Sequence, residues 1–387
     1  MKCFTTRLII VIQAAAITLQ AADPPPAFIQ ASEQRREKIP LGGDFRPAPK
    51  APVFVAVGHG ARILLSRDDG KTWKQVFWGH PGSDHGTWAT NSVAYTNGVF
   101  AVPVGWTFPT TYLASEDGVN WRHLSNGKTK LPAKGEGKAV MPTTMAMAGG
   151  NGVFVGSGYM TLTATPDFGK SFSTFSLRSF KDDPRWPPMT HHLKTIYLGD
   201  ESGRFLAIGD DRRKDNPGLC RVFASDDLGR AWKWLDPKGL KRTGPRGDCA
   251  TNGKAVVLTD RGGVNAFRSL DGGETWDGPH LTGAQRASLC VVNGEFWLTS
   301  DSGSRRSVDG RRWHALPKTT PAGKIAVSDQ GTLISIDRGR FNILRSDDDG
   351  KTWNEAYRFE PETEHVHGAQ GLRDIAFGHA TVGPRKP

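Results

Sequence analysis

Short runs that alternate apolar and polar residues recur along most of the chain, separated by turns rich in glycine, asparagine and aspartate. The segment 92–125 is typical, because the runs SVAYT, VFAVPVG, TTYLAS and WRHLS follow one another there. Alternation with a period of two is typical of half-buried strands. The pattern therefore predicts an all-β protein built from units of four short antiparallel strands.

One short motif, S/T-x-D-x-G-x-T/S-W/F, recurs along the chain. The full-length copies are Ser66–Trp73, Thr165–Phe172, Ser225–Trp232, Ser269–Trp276 and Ser346–Trp353, and the copies one residue shorter are Ser115–Trp121 and Ser307–Trp313. In such a motif the aspartate binds turn N–H groups, the glycine adopts a positive φ, and the aromatic ring packs where the next strand begins. Each copy predicts a hairpin that joins two antiparallel strands.

Seven four-stranded units around an axis predict a seven-bladed β-propeller. Residues 53–66 supply only two strands before the first copy of the motif, whereas three precede the others. The segment Asp374–Gly378 aligns with Ser92–Thr96, so we expect a C-terminal strand to complete blade 1 and close the ring. The alignment places small residues at equivalent inner-strand positions, namely Ala94, Ala148, Cys249, Cys290 and Ala376.

The N-terminus has the pattern of a secretory signal peptide. Lys2 and Arg7 precede the apolar run Leu8–Leu19, and the small residues Ala21 and Ala22 follow it. Because the apolar run is too short to span a bilayer comfortably, we expect no stable membrane insertion after its removal. We predict a signal peptide at 1–22, a proline-rich tether at 23–50 and the propeller at 51–387, in a secreted or periplasmic monomer.

The chain is basic, with a formal net charge of +11 over 387 residues. Removal of residues 1–22 takes away the charges of Lys2 and Arg7 and leaves a net charge of about +9. This surplus favours acidic partners, and no nucleic-acid-binding motif accompanies it. Cys220, Cys249 and Cys290 are an odd number and too few for a disulfide scaffold, and we interpret Cys249 and Cys290 as packing residues.

Over residues 53–377 the repeats resemble the Asp boxes of the sialidase-like, or BNR, superfamily of propellers. That superfamily includes sialidases, other glycoside hydrolases and polysaccharide lyases, together with assembly factors and sorting receptors. Its Asp boxes lie on the face opposite the active site, which implies structural roles for Asp68, Asp117, Asp167, Asp227, Asp271, Asp309 and Asp348. Sialidases have six blades and an early F-R-I-P motif, whose nearest counterpart here is Phe45–Pro49, so none of their catalytic residues is carried over.

The face opposite the motif carries the loops that enter each inner strand and the loops between second and third strands. Nearly all histidines of the chain, and many arginines, fall in these loops. The predicted catalytic residues, suited to acid–base chemistry, are His85, Asp84, His367, Glu364 and Asp248. The predicted substrate-binding residues, suited to pairing with acidic groups or stacking on sugar rings, are Arg62, Trp88, Trp106, Arg246, Arg261, Arg286, Arg338 and Arg373.

These residues predict a glycan-active enzyme, either a glycoside hydrolase or a uronate polysaccharide lyase, that acts on an acidic sugar or polysaccharide. A lyase would neutralise the uronate with arginine, whereas a hydrolase would need two carboxylates facing each other across the sugar. The alternative is a non-catalytic binding or assembly-factor propeller that holds an acidic partner. No metal and no cofactor are expected, because no motif adds a third ligand to His191-His192 or His365-x-His367.

Overall fold

The structure is a computed structural model that describes residues 50–79, 90–104, 111–125, 144–158, 161–177, 190–199, 202–211, 220–240, 246–260, 262–337, 341–358 and 371–382. These residues form 28 strands and one short 3₁₀ turn, His59–Ala61. No helix in the described ranges is long and apolar enough to cross a membrane. The predicted signal peptide and all but the last residue of the predicted tether lie outside the described residues.

The strands are short and follow one another closely along the chain. They are β1 Lys50–Gly58, β2 Arg62–Ser66, β3 Lys74–Phe77, β4 Ala94–Thr96, β5 Val99–Val104, β6 Thr111–Ser115, β7 Arg122–Ser125, β8 Thr144–Gly150, β9 Val153–Gly158, β10 Thr161–Thr165, β11 Ser173–Ser176, β12 Thr190–Tyr197, β13 Phe205–Asp211, β14 Cys220–Ser225, β15 Lys233–Leu235, β16 Arg246–Thr251, β17 Val256–Asp260, β18 Asn265–Ser269, β19 Asp277–Leu281, β20 Ser288–Val292, β21 Glu295–Thr299, β22 Arg305–Ser307, β23 His314–Ala315, β24 Gly323–Val327, β25 Leu333–Asp337, β26 Asn342–Ser346, β27 Asn354–Arg358 and β28 Leu372–Thr381.

In the described residues the strands form seven antiparallel sheets of four strands each. From the axis outward, the blades are β28-β1-β2-β3, β4-β5-β6-β7, β8-β9-β10-β11, β12-β13-β14-β15, β16-β17-β18-β19, β20-β21-β22-β23 and β24-β25-β26-β27. The predicted all-β, seven-bladed propeller is confirmed.

The ring is closed by the C-terminal strand. β28 pairs with β1 from Leu372 opposite Gly58 to Thr381 opposite Lys50, and Asp374 lies opposite Val57. The Thr381 N–H also donates to the Glu116 carbonyl oxygen of blade 2 over 2.6 Å. The predicted closure by a strand from the C-terminus is therefore confirmed, and it leaves β1 no open inner edge.

Each copy of the repeated motif forms a hairpin between the third and fourth strands of a blade. In the first copy the Ser66 hydroxyl donates to Asp68 Oδ1 over 2.9 Å and accepts from the Gly70 N–H. Thr72 donates to the Asp68 carboxylate through its N–H and through its hydroxyl, at 2.9 Å and 2.6 Å. The indole of Trp73 donates to the Gly70 carbonyl oxygen at 3.1 Å. The motif thus supplies the hydrogen bonds that shape its own turn, and Thr332 and Arg345 of blade 7 add hydrogen bonds to Asp69 of that turn.

The hairpin glycine also faces the neighbouring blade. Gly70 has a φ of +81°, and a Cβ at this position would press on the Ile334 side chain of blade 7. A larger residue would therefore strain the backbone and require the Ile334 side chain to move.

The hydrophobic core consists of separate clusters between adjacent blades. The cluster between blades 1 and 2, for example, contains Val55 and Ile63 together with Phe100 and Leu113, all fully buried. Further clusters join blades 2 and 3, 3 and 4, 4 and 5, 5 and 6, 6 and 7, and 7 and 1. Every described blade is therefore sandwiched between two others, and its stability depends on ring closure.

Strand register corrects one expectation from the sequence. Ala250 lies opposite Val257, and Cys249 lies opposite Leu258. When positions are counted from the motif serine of each blade through the strand pairings, Ala250 occupies the same position as Ala94 and Cys290. Cys249 lies one residue before that position. A shift of one residue turns a side chain to the other face of its sheet. Cys220, Cys249 and Cys290 are all buried, and none of these three described cysteines forms a disulfide.

The pKa values of the hairpin aspartates predict that the fold loses stability in acid. Burial tends to raise the pKa of Asp68, Asp117, Asp167, Asp271 and Asp309, but hydrogen bonds outweigh it and hold each pKa below its usual value. The Thr352 hydroxyl and N–H lower the pKa of Asp348 to about 2. An aspartate whose pKa is lower in the folded state than in the unfolded state stabilises the fold at pH values above its unfolded-state pKa. This contribution is lost as the pH falls through the folded-state pKa.

We therefore expect the melting temperature to fall steeply as pH decreases from about 4 to about 2. Differential scanning calorimetry at intervals across this range measures the effect. Asp348→Asn removes one of the titrating groups and should reduce the slope. A melting temperature that stays constant across the range would contradict the structural role of these carboxylates.

Candidate functional site

The hairpins of the repeated motif define a lower face of the propeller. The upper face carries the loops between second and third strands and the loops that lead from one blade into the inner strand of the next. Asp248, Arg62, Arg286 and Arg373 belong to this upper side by their positions near strand ends.

Charged side chains meet where the inner strands surround the axis. The ammonium group of Lys324 on β24 lies 2.7 Å from Asp248 Oδ2 on β16. Lys194 on β12 contacts the other oxygen of the same carboxylate. The three side chains are 28%, 15% and 24% exposed for Lys324, Asp248 and Lys194, so they are reachable from solvent. Together with Asp374 of β28 we call these residues the axial cluster.

The second carboxyl group of the axial cluster has a different environment. Burial raises the pKa of Asp374, and the charges of Lys324 and Lys194 and the N–H of Val93 only partly offset this effect. Burial also raises the pKa of the nearby Cys290 thiol to about 11, so this thiol stays protonated at neutral pH.

The axial cluster follows from a single register position. The strand pairings place Asp374, Ala146, Lys194, Ser288 and Lys324 at the same level around the axis. Ser92 lies two residues before the start of β4 and Asp248 lies at the register shift of β16, so both are assigned to this level by counting back from Ala94 and Cys249. Two aspartates and two lysines at one level of a closed ring converge, although up to 180 residues separate them in the chain.

Side-chain oxygens at this level also connect neighbouring blades. Asp374 Oδ2 accepts from the Val93 N–H at 3.0 Å, and Asp248 Oδ2 accepts from the Leu289 N–H at 3.2 Å. Ser92 Oγ accepts from the Met147 N–H at 3.3 Å in the same way. The carboxylates of the axial cluster therefore hold inner strands together in addition to any role toward a ligand.

Three of the predicted arginines have described side chains, and their surroundings differ. Arg62 is buried, donates to Gln75 Oε1 at 2.8 Å, and stacks its guanidinium 4.2 Å from the Trp78 ring centre. Arg286 is exposed, and its N–H donates to the Gly262 carbonyl oxygen at 2.6 Å. Arg373 is half-buried next to Asp374, and the backbone of Arg246 pairs with that of Asp260.

The remaining predicted site residues are His85, Asp84, His367, Glu364, Trp88, Trp106, Arg261 and Arg338, and all of them lie outside the described residues. Their meeting at one pocket therefore stays a prediction. Among the predicted catalytic residues, Asp248 alone has a described environment, and there it is brought together with two lysines.

Sequence reasoning missed Lys194, Lys324 and Asp374. The signal was present, because Asp374 was already aligned with Ser92, and extending that alignment through all blades selects the lysines. Within the described ranges, no group of three or more histidine, cysteine, aspartate or glutamate residues is arranged to hold a metal ion.

No protein-family model and no curated protein matches this chain. Solved structures of similar fold do match this chain. YCF48 from Cyanidioschyzon merolae superposes with a TM-score of 0.50 at 16% identity, covering 73% of this chain and 88% of that chain. A Bacteroides fragilis protein assigned provisionally as a 6-phosphogluconolactonase gives 0.55 at 9% identity, covering 87% and 100%.

The GH74 enzyme of Niastella koreensis is also similar, with a TM-score of 0.39 at 11% identity over 84% of this chain and 65% of that chain. At such low identities the two likenesses with TM-scores of 0.50 and 0.55 show the propeller fold alone. They are spread over proteins of different kinds, as expected for a fold that hosts unrelated functions.

Proposed function

We propose that this protein is a secreted member of the sialidase-like, Asp-box superfamily that acts on an acidic sugar or polysaccharide, as a glycoside hydrolase or a uronate lyase. The substrate binds at the upper face, over the axis. The observation that carries the proposal is the axial cluster, because it combines two carboxyl groups in contrasting environments with two ammonium groups.

Contrasting carboxyl groups are the arrangement that acid–base chemistry requires. Asp248 is paired with two cations, whereas burial raises the pKa of Asp374 and favours its protonated form. Two titratable groups whose environments differ in this way are suited to serve as base and acid. Lys194 and Lys324 supply positive charge that would attract a uronate or sulfate group toward the axis.

A specific observation favours a second candidate, a non-catalytic propeller that binds an acidic partner. The Asp248 carboxylate already has Lys194, Lys324 and the Leu289 N–H as partners, and Asp374 accepts from Val93. Carboxylates with these partners can stabilise the packing of the inner strands, whether or not they also take part in catalysis. Both candidates bind an acidic ligand at the upper face, and they differ in whether a bond is cleaved.

The deciding experiment screens the purified protein against fluorogenic sialosides and a panel of uronic-acid and sulfated polysaccharides. A hydrolase releases the fluorophore or new reducing ends, and a lyase produces an unsaturated sugar that absorbs in the ultraviolet. If every substrate stays intact while one of them binds in calorimetric titration, the binding candidate replaces the enzyme.

Site variants and hairpin variants are expected to behave in opposite ways. His85→Ala and Arg373→Ala should each lower kcat/KM by about 100-fold and leave the melting temperature within about 2 °C of wild type. Asp271 accepts hydrogen bonds from Ser269 and from the hydroxyl and N–H of Thr275, on the lower face. Asp271→Ala should therefore lower stability by about 2 kcal/mol and spare activity. Full activity of His85→Ala would show that the site lies elsewhere.

A further inference from the structure

Blade 6 carries an arginine on the upper face that has no acidic partner in the described part of the chain. Arg305 is the first residue of β22, directly after the Ser300–Ser304 loop, and its side chain is partly exposed. No described carboxylate forms an ion pair with its guanidinium, including that of Asp301 in the same loop. Three arginines on the lower face, in contrast, pair with aspartates: Arg204, Arg268 and Arg345. An arginine without a counter-ion is available to an anion from outside.

The guanidinium of Arg305 is anchored on one side and open on the other. Its Nη1 donates to the Ser304 carbonyl oxygen at 3.0 Å. Within the described residues Nε and Nη2 have no hydrogen-bond partner, and both retain accessible surface. These two nitrogens form one edge of the guanidinium, and their N–H groups point in parallel. The free edge therefore matches two oxygens of a carboxylate or sulfate group, which can approach without breaking an ion pair.

Two glycines leave space around the guanidinium. A Cβ at Gly283 would lie 3.1 Å from Arg305 Nε, and a Cβ at Gly303 would lie 3.2 Å from Nη1. Such contacts are closer than ordinary packing, so a side chain at either position would displace the guanidinium. The glycines therefore allow it to lie between the loop 282–287, which precedes β20, and the Ser300–Ser304 loop.

These two loops are fixed to each other by hydrogen bonds. The hydroxyls of Ser300 and Ser302 both donate to the Gln285 carbonyl oxygen. Within the second loop the Ser300 N–H donates to Ser304 Oγ at 3.0 Å, and the Ser304 carbonyl oxygen holds Arg305. The free edge of the guanidinium is thus positioned before a ligand arrives, which lowers the cost of binding.

A second arginine follows Gln285 in the first loop. Arg286, which the sequence predicts as a substrate-binding residue, is exposed and has a φ of +52°. This left-handed conformation is unfavourable for a residue with a side chain, and residues held in it cluster at binding and catalytic sites. Arg286 therefore belongs to the same basic surface as Arg305.

Blade 6 connects this surface to the axial cluster. Arg286 lies two residues before Ser288, which stands at the axial level on β20. Lys324 Nζ donates to the carbonyl oxygen of the next residue, Leu289, at 3.3 Å. Because β22 is two strands outward from β20, Arg305 lies roughly 10 Å outward from the inner strand. A ligand that contacts both the axis and Arg305 must therefore extend beyond a single sugar unit.

We propose that Arg305 binds an oxyanion, the carboxylate or sulfate group of an acidic oligosaccharide, at a position outward from the unit bound at the axis. That the anion belongs to a glycan rests on the proposed function, whereas binding of an oxyanion at Arg305 does not. The ligand is an oligomer or polymer with acidic groups on several units. A single uronic acid reaches the axis or Arg305, but not both.

Nuclear magnetic resonance tests the oxyanion site without a glycan. The Arg305 Nε–H signal is assigned by its absence from the spectrum of Arg305→Gln. Titration with sodium sulfate up to about 100 mM, at constant ionic strength, should shift this signal, because sulfate accepts from the free edge of the guanidinium. The reference is the Nε–H signal of Arg306, which pairs with Glu295 at 3.6 Å and should shift less.

Calorimetric titration with galacturonic acid, tetragalacturonate and a sulfated galactose tetrasaccharide tests the glycan. The wild type should bind at least one tetrasaccharide more tightly than the monosaccharide, and the one that binds distinguishes a carboxylate ligand from a sulfate ligand. Arg305→Gln should weaken binding of that tetrasaccharide about tenfold and leave binding of the monosaccharide unchanged. Arg305→Lys should recover only part of the loss, because an ammonium group cannot form the two parallel bonds.

The matched control is Arg306→Gln, which changes the net charge equally, one residue further along β22. Arg305 lies opposite Leu298 and faces blade 5, whereas Arg306 lies opposite Trp297 and faces blade 7. Arg306→Gln should therefore bind the tetrasaccharide within about twofold of the wild type.

Either of two results would overturn this role of Arg305: a signal that sulfate leaves in place, or an Arg305→Gln protein that binds the tetrasaccharide as the wild type does. If sulfate shifts the signal while no glycan binds or is cleaved, the proposed function is refuted and oxyanion binding at Arg305 is supported.

Discussion

A chain that ends before Leu372 will not form a monomeric propeller with a cooperative unfolding transition. Such a chain lacks β28, which pairs with β1 along its whole length. It also loses bonds to both neighbouring blades, since the Tyr95 hydroxyl donates to the His379 carbonyl oxygen and His379 Nε2 lies 2.7 Å from Asp329 Oδ2. The exposed inner edge of β1 would then pair with other chains.

Size-exclusion chromatography and calorimetry measure this outcome, and aggregation with loss of the sharp thermal transition is expected. A chain that ends after Val382 keeps β28 and is the matched control. A synthetic peptide of residues 371–382, added to the truncated chain during refolding, should restore part of the monomeric fold by strand addition. A truncated chain that melts cooperatively as a monomer would show that ring closure contributes little.

Asp248→Ala is expected to lower the free energy of unfolding by about 2 kcal/mol, after allowance for the partial exposure of the lysines. The substitution leaves Lys194 and Lys324 close together without the carboxylate that separates them. It also removes the acceptor of the Leu289 N–H, which ties blade 5 to blade 6. Chemical denaturation measured for both proteins at neutral pH gives the difference.

A double variant separates the two roles of Asp248. In Asp248→Ala with Lys324→Met, one unpaired charge is replaced by an apolar side chain of similar length, so stability should recover in part. Activity toward an acidic glycan should stay lost if Asp248 is the base. An Asp248→Ala protein as stable as the wild type would contradict the contribution of the axial cluster to the fold.

The count and order of the blades could be predicted from sequence because each hairpin is encoded locally. Within eight residues, Ser66, Asp68 and Thr72 make the hydrogen bonds that define the turn, and the serine or threonine and the aspartate bond at the same spacing in the other four full-length copies. Ring closure was also readable, because Asp374–Gly378 has the pattern of an inner strand and blade 1 lacked one.

The site was predicted less well, because its chemistry depends on the register of separate blades. Asp248 was selected as a single acidic residue, and the lysines beside it were not, since nothing local links positions 194, 248 and 324. The misplacement of Cys249 by one residue has the same origin. Short inner strands do not specify their own register, which the pairing with the second strand decides.

By itself, the sequence determined that this chain is all β, that its hairpins repeat, and that its two ends share a blade. These features depend on contacts between residues close in the chain, or on a pattern of period two. Both are visible in the amino-acid sequence. Only the tertiary structure decided which side chains meet at the axis and which edge of Arg305 is left without a partner among the described residues. Those properties depend on the packing of whole blades around a closed ring, where charge and burial are set by residues distant in sequence.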